Sequence, residues 1–132
     1  MTQVQQDLIA IALETRTRAY APYSKYHVGA AVLMDDGRVV GGCNVENASY
    51  GLCNCAERTA LFRALAEGAP PILRAVAVAT EDGGTPCGAC RQVMAEFAPR
   101  DGSPIPVYLL DKNGDVVRET TLAELFPLAF TL

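Results

Sequence analysis

The chain has 132 residues, 50% of them hydrophobic and 20% charged, with a formal net charge of −4 and five cysteines. That is enough chain for one buried core and too little for several, so a single domain spanning 1–132 is expected. The acidic balance and the lack of any basic tract argue against a nucleic-acid partner, and charges interrupt every apolar run before membrane-spanning length, so no membrane partner is expected.

The N-terminus has no basic run ahead of its apolar residues and carries Asp7 and Glu14, which argues against a secretory leader. With an odd number of clustered cysteines, this suggests a reducing, cytoplasmic setting in which thiols serve a metal or catalysis. Leu8, Ile11, Ala12 and Thr15 recur at helical spacing and predict a helix from Asp7 to Arg18, capped by Asp7 and broken by Pro22. "HVGAAVLM", the turn "DDG" and "RVVGGCNV" predict a β-hairpin. Gly41 and Gly42 in its second strand signal a bulge or a close backbone approach. A helical pattern returns over 55–67 and is closed by Gly68 and Pro70-Pro71. "ILRAVAVAT" is apolar throughout, as befits a strand covered on both faces. After the loop "EDGGTP", a helix from Gly88 to Ala98 stops at Pro99. "PVYLL" and "DVVRE", joined by "DKNG", predict an antiparallel pair, and "TTLAELF" a last short helix opened by Thr121 and Glu124. This order predicts an α/β fold, a three-layer α/β/α sandwich around a mixed five-stranded sheet.

Chemistry concentrates at two predicted helix starts, "GLCNCAERTALF" and "TPCGACRQ". Taken alone, Cys87-x-x-Cys90 suits a redox disulfide, a structural zinc site shared with Cys53 and Cys55, or a catalytic zinc site. A redox pair leaves Glu57 and the upstream cysteine unexplained. Four ligands would need both Cys53 and Cys55, a tight spacing for two thiols on one ion. Three ligands and an open fourth position is how catalytic zinc is held. Cys55, Cys87 and Cys90 all fall at helix starts, where the partial positive charge of the helix end favours thiolates. Each start follows a strand, so both should meet at one end of the sheet, where open α/β sheets bind ligands. Glu57 follows Cys55 too closely to share one ion with it, and is placed to exchange protons with a water at the open position. Three thiolates also over-neutralise a divalent ion and disfavour ionising its water, so a cation must draw charge from the sulfurs. Arg58 is the first candidate and Arg91 the second. His27, the only histidine, lies away from the cysteines, and Cys43 and Cys53 read as small structural residues, Cys43 buried in its strand.

"NVENASY", "CAERTALF", "PCGACRQ" and the terminal "LFPLAF" together resemble the small, homotetrameric, zinc-dependent cytidine deaminases, over nearly the whole chain from "AYAPYSKY" to Phe130. The resemblance implies hydrolytic deamination of cytidine and 2′-deoxycytidine to uridine and 2′-deoxyuridine plus ammonia, in pyrimidine salvage. It implies one Zn2+ per chain on Cys55, Cys87 and Cys90, with Glu57 relaying protons between water, the ring N3 and the leaving amine. It further implies that Asn44 and Glu46 bind the ribose, that the Ala56 amide meets the base carbonyl, and that Arg58 donates to the thiolates. Tyr26 stands where relatives usually carry Phe against the pyrimidine or sugar. The sites of a homotetramer would be shared, Phe130 closing over a neighbour's substrate while Ala48 and Tyr50 reach a neighbour's ribose. Blasticidin-S-type deaminases, which share the cysteine signature and act on a modified cytosine nucleoside, are the alternative; "NVENASY" favours the ordinary nucleoside. Outside this class, a non-catalytic zinc module gives Glu57 no purpose, and a redox protein would hold a reversible Cys87–Cys90 disulfide in place of metal.

Overall fold

The computed structural model describes residues 1–132. Helix α1 (Gln3–Arg16) begins earlier than Asp7, because Thr2 and Gln5 form a reciprocal capping box. The Thr2 hydroxyl accepts from Gln5 N at 3.2 Å, and Gln5 Oε1 accepts from Thr2 N at 2.8 Å. Asp7 is therefore not the cap; its carboxylate takes a hydrogen bond from the Gln3 side chain on the helix surface. The hairpin follows as β1 (Gly29–Met34) and β2 (Val39–Cys43), turned at Gly37 with φ of 91°. Then come α2 (Ala56–Ala66), β3 (Leu73–Ala79), α3 (Gly88–Glu96), β4 (Pro106–Leu110), β5 (Val116–Thr121) and α4 (Leu122–Leu125), which is capped by Thr121 as expected.

The strands form one five-stranded sheet in the order β2-β1-β3-β4-β5. Only β3 and β4 run parallel, with α3 as their crossover, and the other neighbours are antiparallel. Side-chain alternation sorts the core into two layers. Ala31, Ala75, Ala77, Ala79 and Leu110 face α1, while Val32, Val76, Val78, Val107 and Leu109 face α2 and α3. The α1 face is built largely of alanine, so that helix lies close to the sheet. At the edge strand the glycine pair serves close approach on both sides. A Cβ at Gly41 would lie 2.5 Å from Thr15 Cγ2 of α1, and one at Gly42 would lie 2.3 Å from Ala60 N of α2.

Register fixes where the functional loops emerge. Gly29, at the start of β1, pairs with Cys43 at the end of β2 and with Ala79 at the end of β3. The chain thus leaves β2 and β3 at the same end of the sheet, and the segments leading into α2 and α3 start side by side. Beyond β2, Val45 makes isolated bridges to Tyr20 and Asn54, which lays residues 44–54 along the mouth of that end. No helix is long and apolar enough to cross a membrane.

Candidate active site

Cys55 is the N-cap of α2 and Cys87 the N-cap of α3, and neither side chain makes the cap hydrogen bond that a Ser or Asp would make there. Both thiols are left free to face each other, with Sγ atoms 3.7 Å apart. Cys90, fully buried in the first turn of α3, joins them, and the three sulfurs lie within 4.8 Å of one another. Tetrahedral zinc with Zn–S bonds of about 2.3 Å would set its sulfurs about 3.8 Å apart. The three thiols therefore fit zinc in both donor type and spacing. Cys53 does not join them; its Sγ is engaged by the backbone of Asn47, 3.3 Å from the amide nitrogen. Cys43 is only half-buried, because β2 is an edge strand, and its thiol points to the Arg18 carbonyl.

Arg58 Nη2 donates to Cys55 Sγ at 3.3 Å, and its Nε is buried without a partner. Hydrogen bonds from Cys90, Arg58 and Cys87 bring the Cys55 thiol down to about 5. Cys90 is pushed the other way, chiefly as the donor to Cys55 and then by burial. The guanidinium of Arg58 and the neighbouring thiols thus favour the ionised form of Cys55. Arg91 is occupied elsewhere, donating from Nε to the Pro86 carbonyl at 2.8 Å and from Nη1 to the Leu125 carbonyl. Glu57 is 4% exposed. Burial raises its carboxyl above the usual carboxylate range, and the neighbouring Cys55 charge adds to the rise.

A cavity of about 320 Å³ opens onto this cluster, with Cys55, Ala56, Glu57 and Cys87 in its wall. Tyr26, Asn44 and Glu46 line it too. Asn44 bridges backbone, its Nδ2 donating to the Tyr26 carbonyl at 2.8 Å and its Oδ1 accepting from Val28 N at 2.9 Å. The Glu46 carboxylate accepts from the Tyr23 and Ser24 amides, and the Ser24 hydroxyl donates to it as well. Those bonds hold it below the usual carboxylate range, the Ser24 hydroxyl foremost. Within one chain, Ala48, Tyr50 and Phe130 stay outside the cavity. Tyr50 borders an adjoining hollow with Tyr23 and Cys53, and Phe130 is 68% exposed. The sequence reading missed Ser24, Asn54, Thr80 and Thr85 in the wall. Thr80 organises the loop before Cys87, its hydroxyl accepting from Gly83 N at 2.7 Å and Gly84 N at 2.9 Å. The Gly83-Gly84 pair ahead of a Pro-Cys was the available signal for that loop.

Comparison with known proteins agrees with this geometry. A cytidine deaminase from Halalkalibacterium halodurans is 54% identical over 128 residues, covering 96% of this chain and 94% of that one. The crystal structure of cytidine deaminase from Burkholderia pseudomallei superposes with a TM-score of 0.85 at 53% identity, covering 98% of this chain and 100% of that one. A blasticidin-S deaminase from Bacillus cereus is more distant, 29% identical over 140 residues. The family model for the cytidine and deoxycytidylate deaminase zinc-binding region matches residues 2–102, a span that contains all three thiols, Glu57 and every residue of the cavity wall. The chain belongs to the cytidine and deoxycytidylate deaminase family.

Proposed function

We propose that this protein is a zinc-dependent cytidine deaminase, converting cytidine and 2′-deoxycytidine to uridine and 2′-deoxyuridine with release of ammonia. The observation that carries the reading is a buried carboxyl, Glu57, in the wall of a nucleoside-sized cavity beside three convergent thiols. Zinc, when held by Cys55, Cys87 and Cys90, supplies Lewis acidity toward a water molecule. Glu57 takes one proton from the attacking water and delivers it to N3 of the cytosine ring as the water oxygen bonds to C4. It then takes that oxygen's second proton and passes it to the amine, whose bond to C4 breaks to release ammonia. Burial raises this carboxyl above the usual carboxylate range, which makes it a better proton acceptor than an exposed glutamate. Arg58 draws charge from the sulfurs, and the Ala56 amide at the start of α2 binds the base carbonyl oxygen. Asn44 and Glu46 bind the ribose, and Tyr26 walls the ring side of the cavity.

The lining contains no Lys, Arg or His. A 5′-phosphate would meet no cation in that lining, which supports a free nucleoside over the deoxycytidylate that the family name also covers. The relative that acts on blasticidin S is the more distant one, which supports the ordinary nucleoside. On this reading residues 1–132 work as one catalytic domain in the cytoplasm, in pyrimidine salvage, as a homotetramer. Tyr50, Leu52, Leu128 and Phe130 are all strongly exposed apolar side chains, the kind of surface a neighbouring subunit covers. Phe130 would then close a neighbour's site, and Ala48 and Tyr50 would reach its ribose.

The ultraviolet absorbance of cytidine mixed with purified protein tests the activity. It should fall with time, stop falling after a strong chelator, and resume with added zinc. Turnover that ignores the chelator, or turnover of blasticidin S in preference to cytidine, would sink the reading. Sedimentation at assay concentration tests the assembly, and a fully active monomer would end the shared-site proposal.

A further inference from the structure

Two walls of the cavity come from segments far apart in sequence, residues 24–28 and residues 80–87, and they meet along one seam. Across the seam, the Tyr26 hydroxyl donates to Asp82 Oδ1 at 3.3 Å. Gly84 makes room for that hydroxyl, since a Cβ there would lie 3.0 Å from it. Arg16 brackets the same two segments. Its Nε donates to the His27 carbonyl at 2.9 Å and its Nη2 to Glu81 at 3.1 Å, while Lys112 holds the other Glu81 oxygen at 3.1 Å. Asp82 lies in the turn organised by the Thr80 hydroxyl, five residues ahead of Cys87.

We infer that the Tyr26–Asp82 hydrogen bond is a latch that fixes the width of the substrate slot by joining its ring-facing wall to the loop that delivers Cys87. The Tyr26 hydroxyl proton is committed to Asp82, so the residue offers substrate its ring and no hydrogen-bond donor. A phenylalanine would present the same ring and lose the tie. Tyr26 acts on substrate directly through that ring, and Asp82 is a positioning residue that acts through Tyr26 and the loop. The inference rests on the nucleoside reading of the cavity, and its test separates the two.

Steady-state deamination of cytidine is measured for the zinc-loaded wild type, Tyr26→Phe, Asp82→Ala, the double variant and Asp82→Asn. Either single change should raise KM about three- to tenfold and leave kcat within about twofold, the double variant should be no worse than Asp82→Ala, and Asp82→Asn, whose Oδ1 still accepts the hydroxyl, should stay near wild type. Effects that multiply in the double variant overturn the latch, as does an unchanged KM in Tyr26→Phe or an Asp82→Asn enzyme as impaired as Asp82→Ala. Amide hydrogen exchange over residues 80–86 gives a readout that needs no substrate. It should quicken in Tyr26→Phe and Asp82→Ala and not in Asp82→Asn. A raised KM with unchanged exchange overturns the latch and assigns the hydroxyl to substrate. If the wild type does not turn over cytidine, the substrate reading falls, and exchange alone decides the latch.

Discussion

The first turns of α2 and α3 align position for position, and they differ where it matters. Each is capped by a cysteine that withholds the usual cap bond. Two residues beyond the cap, α2 has the buried Glu57 and α3 has the exposed Ala89. Three residues beyond it, α2 has Arg58, which donates to Cys55, and α3 has Cys90, a further sulfur for the cluster. Position three points back at the cap in both helices, so one turn spends it on a cation and the other on a thiol. The same helix-end electrostatics thus support two jobs. In the proposed reaction one turn supplies charge and proton handling, and the other supplies two of the three clustered sulfurs.

Exchanging the chemistry of the second position should show the contrast most strongly. Glu57→Gln should keep zinc and fold and lose at least ~10²–10⁴-fold in turnover, whereas Ala89→Ser in α3 should be silent. A Glu57→Gln enzyme with a tenth of wild-type turnover would erase the distinction. The caps come next. Cys55→Ala and Cys87→Ala should both lose zinc by metal analysis, while Cys53→Ala should retain it; equal loss from Cys53→Ala and Cys55→Ala would redraw the ligand set. The arginines should separate more gently. Arg58→Ala should weaken zinc retention and activity by about 10- to 100-fold, the range seen when a ligand loses its outer partner. Arg91→Ala should leave activity nearly untouched and lower stability by about 1–2 kcal/mol, since its bonds to the Pro86 and Leu125 carbonyls go. Similar kinetics for the two variants would mean that both guanidiniums serve the sulfurs. Smallest of all, Thr2→Ala should cost about 1 kcal/mol in denaturant unfolding with no kinetic effect, because α1 starts with an ordinary cap far from the site.

What could be read from the sequence follows the range of the interactions involved. Cys87 and Cys90 share one helical turn, and the hairpin needs only its own alternation and "DDG", so both were legible from local spacing. The meeting of Cys55 with Cys87 was legible too, because each follows a strand and the exits of β2 and β3 fall at one end. The α1 start was misread because Asp7 is a good cap in isolation, and the reciprocal pair of Thr2 and Gln5 lies further upstream. Ser24 and Thr80 escaped because their place in the wall depends on how two loops fold onto each other. Arg91 stood as the second candidate, behind Arg58, for a similar reason. Nothing local reveals that α4 brings the Leu125 carbonyl within its reach.

The spacing of the thiols bears on more than catalysis. Cys55 and Cys87 are 32 residues apart in sequence and their sulfurs 3.7 Å apart in space. An ion gripped by both is a cross-link, equivalent in topology to a disulfide that closes a loop of that length. In chain-entropy terms such a closure removes roughly 3–4 kcal/mol of freedom from the unfolded ensemble. The cofactor is then also a staple on a small domain. Loss of metal would loosen the polypeptide as well as silence it, and the abundance of intact protein would follow the supply of free zinc.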